Sequence, residues 1–188
     1  MKVKEIIKLV AEMIGEEEVV KLCNDLPPND KEYASASYNL LLRCYHLIVE
    51  ELACEYYPVK NRQVFEDVKD NKIFFSAFEY QPLRILNTFD KYGQKLGYRL
   101  INDYILVNEK NACVEYEYRI SKEGEEDESF YASKIIGPYV IAYGVASQYL
   151  TEKGRYSDAD IFQSRYLQGI KSRLMKKGSL KMPKRRWE

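Results

Sequence analysis

The chain has 188 residues, a length that fits one domain with room for a small inserted lobe. Hydrophobic residues make up 46% and charged residues 31%, an ordinary globular composition that argues against general disorder. The formal net charge is zero, so bulk electrostatics imply neither nucleic acid nor a membrane as a partner.

The charges are nonetheless segregated along the chain. From Lys171 onward, eight basic residues stand against a single acidic one, Glu188, which gives this segment a net charge of +7 and leaves −7 on the residues before it. We therefore expect contact with a complementary surface, such as that of an acidic copy of the same protein. The 17 tyrosines suit wet protein–protein interfaces, although for any single tyrosine we favour packing at the edge of a modest core.

Two helices are predicted before the first prolines. Apolar residues at three-and-four spacing predict an amphipathic helix over residues 2–23, which Gly15 breaks into two pieces. Pro27 and Pro28 end this region. Asn29, with Glu32 three residues later, has the spacing of a capping box and predicts the start of a long helix that runs to about Tyr57.

The middle of the chain changes period and predicts strands. The predicted strands, rich in aromatic or β-branched residues, are 72–75, 83–86, 98–101, 104–107 and 113–118. Asn102 and Asp103 predict a two-residue hairpin turn. We expect one antiparallel sheet of four or five strands. Glu115 and Glu117 alternate with apolar residues, so the last strand is predicted to show one face to water.

Helical patterns return after an acidic loop. The loop, residues 121–129, is interpreted either as a solvated tip or as a docking site for a basic partner segment. Residues 130–152 predict a helix that is apolar nearly all round and therefore buried. Ser157 is predicted to cap a final helix over 158–177, and Gly178 to close it.

Together these elements predict an α+β fold. We expect a helical bundle of the N-terminal helices and two long C-terminal helices, with a small antiparallel β-sheet inserted between them. Residues 1–178 are predicted to form a single domain with the β-rich insertion at about 59–120. Residues 179–188 are predicted to form an extended basic C-terminal arm.

The arm joins apolar anchors to fixed positive charges. Its candidate binding residues are Leu180, Lys181, Met182, Pro183, Lys184, Arg185, Arg186 and Trp187. Trp and Arg are the residues most enriched in binding hot spots, so we interpret the arm as a docking segment for another protein. Two alternatives stay open: the basic residues grip DNA phosphates while Trp187 stacks on a base, or the segment is an unstructured end.

No pattern of catalytic, metal-binding or targeting residues stands out. His46 is the only histidine, and the four cysteines include no CxxC pair, so we expect no metal site, no cofactor and reduced thiols. Glycine-rich phosphate loops, a nucleophile elbow and a calcium loop are all missing from the sequence. We also expect no signal peptide, no membrane span, synthesis in the cytoplasm and no enzymatic activity; an enzyme of unrecognised type is the alternative.

Residues 72–188 resemble the head–tail connector (adaptor) proteins of tailed bacteriophages, including the tail-tubular-protein-A type of short-tailed phages. The resemblance rests on a β-rich region, a helix of small and aromatic residues, a glycine-containing turn and a long last helix. Its residues are Pro82-Leu83-Arg84-Ile85-Leu86, Tyr92-Gly93, Tyr98-Arg99-Leu100, Ile105, Val114-Glu115-Tyr116, the run from Tyr139 to Leu150, the run from Gly154 to Ala159, and Tyr166. The N-terminal helices match no pattern of that family.

The resemblance implies a structural virion protein at the head–tail junction, made in the host bacterial cytoplasm. Family members form homo-oligomeric rings, commonly of twelve copies, that extend the DNA channel below the portal and present a platform to tail proteins. DNA would pass through the lumen without specific binding. The arm from Leu180 to Trp187 would insert into the portal, with Arg185 and Arg186 paired to portal carboxylates.

Overall fold

The computed structural model describes residues 1–118, 120 and 122–177, the last four of them by backbone alone. The described chain mixes helices and antiparallel sheets, so the α+β class is confirmed. It divides into two compact units. The helical unit comprises Met1–Val49 and the described residues from Glu123 onward, and the β unit comprises Glu50–Lys122.

The helices of the described chain are α1 (Val3–Ile14), α2 (Glu17–Cys23), α3 (Lys31–Glu51), α4 (Phe130–Lys134), α5 (Pro138–Glu152) and α6 (Tyr156–Lys177). A π-helical turn, Leu52–Tyr56, follows α3. The predicted break at Gly15 is confirmed: this residue caps α1 with a φ of 80°, a left-handed conformation that favours glycine. Val3, Ile6, Ile7, Val10 and Ala11 of α1 are fully buried, and α1 packs against α5 as α6 does.

The start of α3 differs from the prediction by one residue. The N–H of Tyr33 donates to Oδ1 of Asp30 at 2.9 Å, so Asp30 and not Asn29 supplies the capping contact. The side-chain amide of Asn29 instead donates to Glu18 at 2.9 Å, which ties the start of α3 to α2.

The predicted helix over 130–152 is wrong as a single helix, because α4 and α5 are separate. Ser129 caps α4, its hydroxyl accepting the N–H of Ala132 at 3.3 Å. Gly137 has a φ of 102°, and Pro138 takes the first position of α5, where its missing N–H does no harm. The proposed cap at Ser157 is also wrong: α6 already begins at Tyr156, so Ser157 lies inside its first turn. Gly178 lies outside the described residues.

Seven strands of the described chain form two antiparallel sheets instead of the one predicted. The strands are β1 (Val59–Phe65), β2 (Lys72–Phe74), β3 (Pro82–Phe89), β4 (Lys95–Leu96), β5 (Tyr98–Ile101), β6 (Tyr104–Val107) and β7 (Ala112–Tyr118). The four-stranded sheet has the order β1-β7-β3-β4, and the three-stranded sheet has the order β2-β6-β5. The predicted strands are all present, whereas β1 and β4 were not predicted.

The hairpin turn at Asn102 and Asp103 is confirmed, because β5 and β6 pair in the register that sets Ile101 opposite Tyr104. Both sheets contribute to one hydrophobic core in the β unit. Its members are Ile73, Phe78, Ile85, Ile105, Val107, Ala112, Val114 and Tyr116. None of the helices in the described chain combines the length and hydropathy needed to span a bilayer.

Candidate interaction surfaces

The predicted binding arm follows directly from α6. Residues 180–187, and the rest of the segment after Lys177, lie outside the described residues. The last described turns of α6 already carry the positive charge of this region, since Lys171 and Arg173 are both exposed.

The acidic excess of the chain belongs to the helical unit. Its residues up to number 170 include 16 acidic and 10 basic side chains, a net charge of −6. The β unit has 12 acidic and 11 basic side chains and is nearly neutral. The part of the helical unit before Lys171 and the segment that begins at Lys171 therefore carry opposite net charges, and the β unit contributes almost nothing to either.

The acidic segment before α4 runs along the protein's own N-terminus. The N–H of Val3 donates to the carbonyl oxygen of Asp127 at 3.0 Å, and the N–H of Lys4 donates to that of Glu125 at 2.9 Å. The ammonium of Lys2 lies 2.8 Å from Glu126, and their hydrogen bond raises the pKa of Lys2 and lowers that of Glu126. The backbone of the segment is thus bound internally, while the carboxylates of residues 125–128 are exposed.

Tyrosine hydroxyls of the helical unit bind half-buried carboxylates. Tyr45, fully buried in α3, donates to Glu123, which also accepts the N–H of Phe130 at 2.7 Å. Tyr149 and Tyr33 each donate to a different oxygen of Glu16 at 2.9 Å. Burial is the main cause that raises the pKa of Tyr45 and of Tyr149, and the neighbouring carboxylates add to it.

The outer face of the four-stranded sheet carries charges in rows. Arg62 of β1 lies opposite Glu115 of β7, with their charged atoms 3.7 Å apart. Arg84 of β3 lies opposite Glu117, with a separation of 3.9 Å. The prediction that this face of β7 is open to water is wrong: Glu117 is 9% exposed and Glu115 is half-buried, because β7 is a central strand with basic side chains on both sides.

A cavity of about 590 Å³ adjoins the same face. Its floor includes a row of Val64, Cys113 and Phe89, which are cross-strand neighbours on β1, β7 and β3. Its rim carries charges of both signs, and the guanidinium of Arg62 lies 5.0 Å from the centroid of the Phe89 ring. The lining is thus apolar along the strands and of mixed charge at the rim.

A groove of about 310 Å³ is lined by residues of β3 and β5, which belong to different sheets. β4 pairs with the end of β3 at Thr88 and Phe89, and β5 follows after Gly97 in the other sheet, where it is an edge strand beside β6. Within the described chain, the edge of β3 that faces away from β7 therefore has no paired strand before Thr88. The groove, which we term the strand-gap groove, is lined by Phe75, Pro82, Leu83, Arg84, Ile85, Tyr98 and Leu100.

The strand-gap groove has exposed apolar walls. Leu83 on β3 is 41% exposed and Leu100 on β5 is 62% exposed. The hydroxyl of Tyr98 crosses the groove and donates to the carbonyl oxygen of Ile85 at 3.0 Å. The groove was not predicted from the sequence, because the strand pattern there fits a single sheet; Gly97, between β4 and β5, marks the break between the two sheets.

The candidates for metal or catalytic chemistry do not meet in a common site. His46 lies on α3 with its ring 5.6 Å from that of Tyr45. The four cysteines are free thiols: Cys23 and Cys44 are buried, Cys113 is half-buried and Cys54 is exposed. In the part of the chain that the structure describes, no three His, Cys, Asp or Glu side chains are grouped as metal ligands.

No protein-family model matches the chain, and no curated protein is similar to it at a significant level.

Proposed function

We propose that the chain is a structural virion protein, the subunit of a homo-oligomeric head–tail connector ring. The ring docks on the portal through the arm from Leu180 to Trp187 and joins the portal to tail proteins. It consists of twelve copies, as in the connector family that residues 72–188 resemble, and its place is the head–tail junction of the virion. The protein binds no cofactor and acts by assembly.

The separation of charge carries this proposal. The helical unit up to residue 170 has a net charge of −6, and the segment from Lys171 onward has +7. A basic arm with the single Trp of the chain suits a socket lined with carboxylates and apolar side chains. An acidic unit around a channel also repels DNA phosphates, so the genome passes without being held.

The helices fit the same role. α5 and α6 pack against each other across a short connection, α1 packs on α5, and α6 leads into the arm. We interpret the helical unit as a bundle that supports the arm, as the resemblance implies. A cyclic ring needs one surface that is complementary to a different surface of the next copy. Exposed rings on the α5 and α6 surface, Tyr139 and Tyr156, are of the kind that such contacts use.

The test is docking on the portal of the same phage. The chain without residues 179–188 is expected to keep the circular dichroism of the full chain and to lose co-sedimentation with the portal. Replacing Lys184, Arg185 and Arg186 together by Glu should have the same effect, whereas exchanging each for the other basic residue should preserve docking. Trp187→Ala should weaken docking, with Trp187→Phe as its matched control.

Negative-stain microscopy of the chain with the portal then shows whether a ring of uniform size has formed. Normal docking by the truncated chain would overturn the proposed mechanism. If the full chain binds DNA with an affinity that falls as the salt concentration rises, and the truncated chain does not bind DNA, the result would instead favour a nucleic-acid-binding accessory protein that uses the same arm.

A further inference from the structure

The strand-gap groove offers two strand edges to one occupant. One side is the edge of β3 before Thr88, where the hydroxyl of Tyr98 already binds the carbonyl oxygen of Ile85, and the other is β5, the edge strand of the three-stranded sheet. Unpaired strand edges present backbone N–H and C=O groups that an extended segment can pair with. The walls add side-chain contacts through Leu83 and Leu100, both exposed. The site therefore fits a short strand with apolar side chains on one face.

The arm contains a segment with this pattern. Leu180, Lys181 and Met182 alternate apolar, basic and apolar, so an extended conformation sets Leu180 and Met182 on one face and Lys181 on the other. Pro183 follows at once and lacks a backbone N–H, which ends a ladder at that position. Three residues span about 10 Å as a strand, comparable to the four-residue β5.

We propose that Leu180–Met182 of one copy adds as a strand to the strand-gap groove of a second copy. Leu180 and Met182 lie against Leu83 and Leu100, and Lys181 points to the opposite side. The inference rests on the proposed function, because a ring requires a heterologous contact between a segment of one subunit and a different site on the next. It divides the arm into two parts: Leu180–Met182 links neighbouring copies, and residues 184–187 remain for the portal.

The first experiment measures assembly of the full chain by mass photometry over a range of concentrations. Lys181→Pro removes the N–H in the middle of the added strand and should raise the concentration for half-assembly at least about tenfold. Lys181→Ala keeps the N–H and should change that concentration by less than about twofold. Leu100→Asp in the groove should act like Lys181→Pro, and Leu100→Met like Lys181→Ala. Equal assembly of Lys181→Pro and Lys181→Ala would overturn the proposal.

The second experiment identifies the contact by disulfide formation in a Cys54→Ser background, which removes the exposed native thiol. Leu180→Cys chains are mixed with Leu100→Cys chains and oxidised, and a 1:1 covalent dimer should form that neither variant gives alone. Lys181→Cys mixed with Leu100→Cys is the matched control and should give much less dimer, because residue 181 faces away. Equal yields from residues 180 and 181 would overturn the strand conformation.

A chain that carries both Leu180→Cys and Leu100→Cys shows whether the arm occupies its own strand-gap groove or that of another copy. A ladder of covalent oligomers on a non-reducing gel supports exchange between copies, and a monomer with an internal disulfide would overturn it. The outcome is separable from the proposed function. If portal docking depends on residues 184–187 but no disulfide forms between residues 180 and 100, the connector role stands and this inference is overturned. If that disulfide forms but portal docking does not depend on residues 184–187, the portal role alone is overturned.

Discussion

The hydroxyl of Tyr149 donates a hydrogen bond to Glu16 at 2.9 Å, although 133 positions separate the two residues in the sequence. Tyr149 lies on α5, and Glu16 precedes α2. Tyr33 of α3 donates to the other oxygen of Glu16 at 2.9 Å, and the ammonium of Lys153 lies 5.2 and 5.4 Å from the centroids of the Tyr33 and Tyr149 rings. One carboxylate thus joins three helices of the helical unit.

Removing the Tyr149 hydroxyl should destabilise the protein. Tyr149→Phe leaves Glu16 with one donor fewer in a half-buried position, so we expect the free energy of unfolding to fall by about 1–2 kcal/mol. Urea denaturation followed by circular dichroism measures the change. The matched control is Tyr139→Phe on the same helix, whose side chain is 58% exposed and which should unfold like the parent chain.

Glu16→Gln tests the same contact from the other side. If the hydrogen bond is the cause, the effects of Tyr149→Phe and Glu16→Gln should not add in the double variant. Full additivity, or equal stability of Tyr149→Phe and Tyr139→Phe, would contradict the assignment.

Stability should decrease in alkali. Burial is the main cause that raises the pKa of Tyr38, Tyr45 and Tyr149 above the ordinary value of about 10. Below that pH these phenols are neutral in both the folded and the unfolded chain. Above it the unfolded chain loses protons that the folded chain retains, so the free energy of unfolding falls as the pH rises further.

Denaturant midpoints at pH 8, 9, 10 and 11 measure this loss, and tyrosinate absorbance follows the ionisation. Tyr149→Phe should show a shallower fall than the parent chain between pH 10 and 11, because one of the phenols whose pKa is raised by burial is gone. A free energy of unfolding that is constant from pH 8 to pH 11 would refute the prediction.

Local chemistry explains which elements were predicted correctly. The turn at Asn102 and Asp103 and the left-handed cap at Gly15 depend on residues that tolerate positive φ or tight turns, and their flanking apolar runs have the right period. Pro138 carried a signal as clear as these. The break before Pro138 was not predicted, because the residues from 130 onward are apolar on all sides, and such a pattern fits one long buried helix as well as two short ones.

Pairing between distant strands explains the features that were not predicted from the sequence. β1 reads Val-Lys-Asn-Arg-Gln-Val-Phe, in which charged and amide side chains outnumber apolar ones, and it becomes a strand through its ladder with β7, about 50 residues away. The burial of Glu117 follows from the same ladder, since it places β7 between β1 and β3. The division into two sheets creates the strand-gap groove, and no local pattern contains that information. The predicted arm, by contrast, was derived from composition and lies outside the described residues.

Glu123 is expected to matter more than the other acidic residues of its segment. It accepts the hydroxyl of buried Tyr45 and the N–H of Phe130, so Glu123→Ala removes the acceptor of both donors. We expect a loss of about 2–3 kcal/mol in the free energy of unfolding. Glu128→Ala is the matched control, because its side chain is exposed, and should change stability by less than about 0.5 kcal/mol. Equal effects of the two substitutions would show that Glu123 acts only through charge.

The contact between α5 and α6 depends on the absence of a side chain at Gly169. A Cβ at this position would lie 2.7 and 2.9 Å from the two methyl groups of Val140, closer than carbon atoms can approach. Gly169→Ala should gain up to about 1 kcal/mol from helix propensity and lose about 1–3 kcal/mol from overpacking, so we expect net destabilisation. Thermal unfolding measures it, with Ser164→Ala on the exposed face of α6 as a control.

Val140→Ala supplies the decisive comparison for Gly169. In that background the two methyl groups are gone and the nearest of the Val140 atoms left is its Cβ at 3.3 Å, so Gly169→Ala should become neutral or stabilising because the propensity gain meets a much smaller steric cost. A change of sign between the two backgrounds would establish the close approach of α5 and α6 as the reason for glycine at this position. If Gly169→Ala destabilises equally in both backgrounds, the backbone conformation and not the contact with Val140 is responsible.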